Sequence, residues 1–143
     1  MPKFLVAVDG SEQSLAVAKQ LVGSLPWYRE KPSIELITVH LPVPLVGGME
    51  KVVSRDMLDR YYREEGEKQL AAAKKLLDDA GVACTTHIFV GQIAETIVEQ
   101  AKRLACDMIY MGTHGRGAVG NLLVGSIATK VVHLAPVPVV LVQ

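Results

Sequence analysis

Short apolar runs alternate along the chain with longer stretches in which apolar residues recur every three or four positions, and this alternation predicts five strands and four helices. Lys3 to Asp9 is an apolar run ending in Asp-Gly-Ser, which predicts a buried strand turning directly into a helix capped by Ser11. Leu15, Ala18, Leu21 and Val22 mark the inner face of that helix, and Leu25-Pro26 ends it because proline cannot extend the hydrogen-bond ladder. Ser33 to His40 is β-branched and apolar, hence a second strand. Leu41 to Val53 carries Pro42, Pro44, Gly47 and Gly48 and predicts a long irregular loop of the kind that covers a site or is mobile. Ser54 to Ala80 reads as a long helix, capped by Ser54 and stopped by Gly81, with the stripe Leu58, Tyr62, Leu70, Ala73 and Leu77. Ala83 to Phe89 is a third strand, leading through Gly91 to a helix from Gln92 to Ala105 with Ile93, Ile97, Val98, Ala101 and Leu104 inside. Asp107 to Met111 is a fourth strand. A glycine-rich loop, a helix from Ser126 to Leu134 and a last strand from Val137 to Val142 complete the chain.

Strict β-α alternation predicts an open parallel sheet with helices on both faces, a single doubly wound, Rossmann-like α/β domain over residues 1–143. At 143 residues such a domain buries enough surface to need no disulfide or structural metal. Fifteen basic and fifteen acidic residues give a net charge of zero, so no overall field attracts nucleic acid or anionic lipid. Half of the 30 charges lie between Glu50 and Asp79, where Asp56 with Arg60, Asp59 with Arg63 and Glu64 with Lys68 are spaced to pair on a solvated helix face. Phe4 to Val8 is too short for a signal-peptide core, and no apolar stretch approaches the roughly 18 residues of a membrane span. Cys84 and Cys106 lack C-x-x-C spacing and read as reduced, buried thiols of a cytoplasmic protein. The four histidines, at 40, 87, 114 and 133, have no ligand spacing that would hold a metal.

The chemistry concentrates after the fourth strand. Five of the twelve glycines fall between Gly112 and Gly125, in a loop running from a strand end to a helix start. Ligands of open α/β sheets sit just outside those strand ends. Glycines let the backbone approach an anion closely, and first-turn helix amides point outward with partial positive charge. The 36 residues after Asp107 contain no Asp or Glu, only Arg116 and Lys130 as formal charges, so a bound anion meets no repulsion from its own segment. Gly115 to Gly120 satisfies G-x-G-x-x-G, but Val139, Val140 and Leu141 stand where a dinucleotide fold needs its acid, and the first βα turn reads Asp9-Gly10-Ser11 instead. Gly120 to Ser126 lacks the lysine of a P-loop. A plain flexible surface loop is the remaining reading of the glycines alone.

Gly112-x2-Gly115-x9-Gly125-Ser126, in a chain opening with Val6-Ala7-Val8-Asp9-Gly10-Ser11, resembles the ATP-binding branch of the universal stress protein family over essentially its whole length. The resemblance implies an adenine nucleotide alpha hydrolase-like fold and binding of ATP, or of AMP or another adenine nucleotide, with Mg2+ as a companion ion. It implies a nucleotide site made by Ala7, Asp9, Val39, Met111, Gly112, Thr113, His114, Gly115, Arg116, Gly125, Ser126 and Ile127. Asp9 would face ribose and phosphate and hold Mg2+, or serve only the turn that follows it. Val39 would meet the adenine edge through its main chain, and Met111 and Gly112 would line the ribose. Gly115 and Arg116 would meet the phosphates, with amides of Gly125, Ser126 and Ile127 and the Ser126 hydroxyl at the β and γ positions. The family's closing strand commonly pairs across a two-fold axis, so residues 137–142 are expected to form a homodimer.

The expected function is a nucleotide-dependent regulatory or stress-response module with slow or no ATP turnover. The alternative is a low-activity ATPase or phosphotransfer enzyme, for which Arg116, Ser126 and Asp9 are available but no dedicated base stands out. His114 reads either as a titrating loop group or as a solvent-facing turn histidine. A phosphoacceptor receiver would need clustered acids at the first strand, and Asp9 stands alone there.

Overall fold

The computed structural model describes residues 1–114 and 123–143. Five strands, β1 (Lys3–Ala7), β2 (Ser33–His40), β3 (Cys84–Val90), β4 (Met108–Gly112) and β5 (Val139–Val142), form one parallel sheet in the order β3-β2-β1-β4-β5. The α-helices among the described residues are α1 (Glu12–Ser24), α2 (Arg55–Asp79), α3 (Ile93–Arg103) and α4 (Ser126–Leu134), with short 3-10 turns at Leu25–Trp27 and Met49–Lys51. Alternate side chains of β1 divide the core. Phe4 and Val6 pack with Val17 and Leu21 of α1 and Leu70 and Leu77 of α2, whereas Leu5 meets Ile97, Val98 and Ala101 of α3 and Val131 of α4. The sheet is therefore doubly wound. The crossover changes direction between β1 and β4, and the crevice that ligands occupy in such sheets opens there.

Local chemistry sets the element ends. Ser11 and Ser54 each accept an amide of the first helical turn, from Ser14 and Met57 respectively. Gly81 follows α2 at φ +72, the left-handed conformation that a Cβ disfavours. Helix α3 stops at Arg103, before the sequence boundary at Ala105, because Ala105 takes φ 53 and ends the helical run. β5 begins at Val139 rather than Val137, since Pro138 contributes only a carbonyl to the ladder, accepting from Ile109 N–H. β1 stops at Ala7: Asp9 N–H leaves the sheet for Ser14 Oγ at 3.2 Å.

The charged face of α2 is organised differently from the spacing rule. None of Asp56–Arg60, Asp59–Arg63 and Glu64–Lys68 is an ion pair; Lys68 pairs with Glu65, Lys74 with Asp78 and Lys75 with Asp79. Acid-first spacing makes a pair feasible, but flexible exposed side chains gain too little from it to be held there. Among ionisable groups turned inward, Glu35 of β2 meets His87 of β3 at 2.6 Å. Cys84 is half-buried and Cys106 buried; both are free, and burial pushes each thiol up to about 11, so they are protonated packing groups near neutral pH. Among the described residues no helix is long and apolar enough to cross a membrane.

Helix α2 lies against the edge of the sheet through Gly66, a buried glycine in mid-helix. A Cβ there would stand 2.6 to 2.7 Å from three carbons of Ile88, Cδ1, Cγ1 and Cγ2, so no single rotamer change clears it. Gly66→Ala gains about 1 kcal/mol of helix propensity and loses about 1–3 kcal/mol to overpacking. Chemical denaturation should show it net destabilised by about 1 kcal/mol, and the Gly66→Ala penalty should vanish when it is measured in an Ile88→Ala background.

Candidate functional site

β1 ends before its two neighbours do. Its ladder with β2 ends at Ala7–Ile37 and that with β4 at Val6–Tyr110, while β2 runs on to His40 and β4 to Gly112. A cleft of about 350 Å3 occupies the notch above the end of β1. Ala7, Asp9, Val39, Met111, Gly112, Thr113, His114, Gly125, Ser126 and Ile127 all line it, so residues up to 120 positions apart in sequence share one wall. Gly115 and Arg116 lie outside the described residues.

The notch leaves backbone groups open. In a parallel sheet successive residues turn their N–H and C=O to opposite sides. Ile37 C=O points to β1, accepting from Val8 N–H at 2.9 Å, and His40 C=O points to β3, accepting from Gly91 N–H at 2.8 Å. Val39 therefore turns its N–H and C=O to the β1 side, where β1 has already ended. Leu41, just past the strand end, stands on the rim of the cleft, 55% exposed.

The opposite wall is built by Thr113 and Gly125. Thr113 N–H joins the sheet through Val142 C=O at 3.1 Å, while Thr113 C=O accepts Gly125 N–H at 2.7 Å. The strand end and helix start are thereby held together at the base of the glycine-rich segment. Gly125 is required for steric reasons: a Cβ would lie 2.9 Å from the Thr113 carbonyl oxygen. Its own amide is spent on that carbonyl, so it cannot serve a ligand. The first-turn amides Ser126, Ile127 and Ala128 have no preceding turn to accept them; the ladder begins with Thr129 N–H to Gly125 C=O. At Gly112 a Cβ would meet the His114 carbonyl oxygen at 3.2 Å.

Asp9 serves its turn as well as lining the cleft: Oδ1 accepts Ser11 N–H at 2.9 Å. His114 Nδ1 lies 3.1 Å from Thr113 Oγ1. Among the described residues, no group of three His, Cys, Asp or Glu side chains could hold a metal by itself.

Several wall residues lie outside the sequence expectations: Val8, Ser14, Ile37, His40, Leu41, Gln69, Ile93, Ile97 and Ala128. Ile93 and Ile97 are legible as the inner face of a helix, but an apolar cleft wall and a core face share one pattern. His40 ends β2 with its ring centroid 6.1 Å from that of Tyr62, and its Nε2 is buried with no hydrogen-bond partner among the described residues. Burial lowers its proton affinity below the usual 6.5, and the nearby Glu65 carboxylate opposes that only in part. Its folded-state pKa is depressed, so the unfolded chain binds the extra proton first. The His40 contribution to stability is complete above about pH 6.5 and is lost as pH falls through the lower folded value. Denaturation series between pH 7.5 and 5 should show stability falling with acid, and His40→Phe should flatten that fall.

The model of the universal stress protein family matches residues 1–143. A universal stress protein of Methanocaldococcus jannaschii, MJ0531, is 32% identical over 142 residues, covering 99% of this chain and 81% of its own. The solved structure of MJ0577, from the same organism, superposes with a TM-score of 0.81 at 25% identity, over 99% of this chain and 94% of that one. A universal stress protein family protein of Arabidopsis thaliana, solved with AMP bound, shares the fold with a TM-score of 0.69 at 18% identity, over 99% and 91% of the two chains.

Proposed function

Because the chain belongs to the universal stress protein family, we propose that it binds an adenine nucleotide in the cleft above β1, as a regulatory module with slow or no turnover. The observation that carries this reading is the notch itself. A cleft of about 350 Å3 falls within the ordinary range of small-ligand sites, and among the described residues the Val39 N–H and C=O at one end and the first-turn α4 amides at the other have no backbone partner. An adenine edge presents an acceptor beside a donor, which the Val39 pair complements. The α4 amides suit an anion. AMP in the Arabidopsis relative supports the same ligand class.

In this reading Ala7, Met111 and Gly112 line the sugar, and Thr113 and His114 carry the chain into the phosphate segment. Ser126 and Ile127 amides take phosphate oxygens. Gly115 and Arg116 are proposed to join them. Gly125 acts by being small. Mg2+ binds through one or two carboxylates together with phosphate oxygens and water. Asp9 fits that pattern as a single carboxylate and would share the ion with the nucleotide. Asp9 is also the one carboxylate lining the cleft among the described residues, which favours binding over hydrolysis, since no second acid is placed to activate water.

The proposal extends to a cytoplasmic homodimer. β5 lies at the sheet edge, its four residues are only half-buried and uncharged, and Val132 and Leu134 of the adjacent α4 are exposed at 50% and 41%. Pairing of residues 137–142 with a second copy would cover that edge.

Calorimetric titration of the purified chain should show saturable binding of ATP, AMP or cyclic AMP in preference to GTP, weakened at least about tenfold in Gly125→Val, whose side chain must displace the Thr113 carbonyl. Equal indifference to all these nucleotides overturns the reading. Light scattering at micromolar concentration should give twice the chain mass; a monomer mass removes the dimer.

A further inference from the structure

Helix α2 contributes one polar side chain to the cleft, and its surroundings constrain what it does. Thr38, 1% exposed in the middle of β2, donates its hydroxyl to Gln69 Oε1 at 2.7 Å. That bond holds the Gln69 carboxamide by its oxygen and leaves the Nε2 hydrogens as the free half. Nε2 has no protein partner among the described residues, yet it is not sealed: the buried, unpartnered side-chain atom of that set is His40 Nε2 alone. The Gln69 amide therefore faces open space, and Gln69 lines both the main cleft and a smaller recess of about 80 Å3 that shares Val8 and Ser14 with it.

Thr38 and Val39 are consecutive on β2, so their Cα atoms are about 3.8 Å apart. An amide anchored to Thr38 thus stands beside the Val39 backbone pair, in the gap β1 leaves. Resting on the proposed adenine site, we propose that Gln69 is a specificity-determining residue, its Nε2–H donating to an acceptor nitrogen of the purine. The Val39 pair takes the N1 and N6 edge, so the acceptors left on the base are N3 and N7. Thr38 is the positioning residue. It fixes the amide so that little side-chain freedom is lost when a base arrives.

The test measures affinities of the full chain for AMP, 3-deaza-AMP and 7-deaza-AMP, with Gln69→Leu and Gln69→Glu beside the unaltered protein. Glutamate keeps the Thr38 contact and the shape while replacing the donor by an acceptor. The unaltered protein should bind one of the two deaza analogues about tenfold more weakly than AMP, since one hydrogen bond in a closed site is worth about that much. Both variants should bind AMP more weakly, Gln69→Glu the more so, and neither should discriminate against that analogue. Variants that weaken all three ligands by one factor, with the penalty kept, would make Gln69 merely structural and overturn the proposal. So would an unaltered protein indifferent to both replacements, an outcome that needs no variant to fold. Absence of AMP binding altogether would instead strike the adenine site itself.

Discussion

The site depends on a mismatch of strand ends. β1 sits at the centre of the sheet, flanked by β2 and β4, yet it gives up its ladder first, because Asp9 and Gly10 turn the chain into α1 while both neighbours continue. A backbone group that would be paired in a rectangular sheet is thereby left with hydrogen-bonding capacity and a hydrophobic surround. Unpaired backbone groups are costly where water cannot reach them. They persist here because the notch is wide enough to be wetted or filled, so a local defect of the sheet becomes the candidate site.

A second constraint closes the opposite wall. Thr113 is bonded through its amide to β5 and through its carbonyl to Gly125. The two ends of the glycine-rich segment therefore meet at that carbonyl. The same bond explains which glycine is needed for space rather than for conformation: Gly125 has φ −68 and ψ 164, which any residue adopts, but it lacks room for a Cβ.

Much of this was legible in the sequence. β2 and α4 keep the bounds that alternation and capping assign them, and the fold follows from the β-α order. Element ends moved where one backbone group decided, as at Ala105 and Pro138. The site was legible where its chemistry is carried by glycine, Asp9 and strand-end position, because those features have few other uses. It was illegible where a wall residue has a commoner use: Ile93 and Ile97 look like core, His40 like a strand end, and Gln69 like one more polar residue on a charged helix. Nothing in the sequence distinguishes Gln69 from its neighbours until β2 places Thr38 beneath it. Gly66 escaped for a related reason, since its value lies in the distance to Ile88 and not in any local pattern.

Between β2 and α2 the chain makes its excursion over residues 41–53, and Tyr62 fastens it near its start by accepting Val43 N–H on its hydroxyl at 2.8 Å. A tether placed so early divides that excursion into a short stretch answerable to the strand and a longer, mostly exposed one. Length and composition beyond Val43 are thus free to drift or to be grafted, and the fold can acquire new outer surfaces there without renegotiating the geometry of its strand ends.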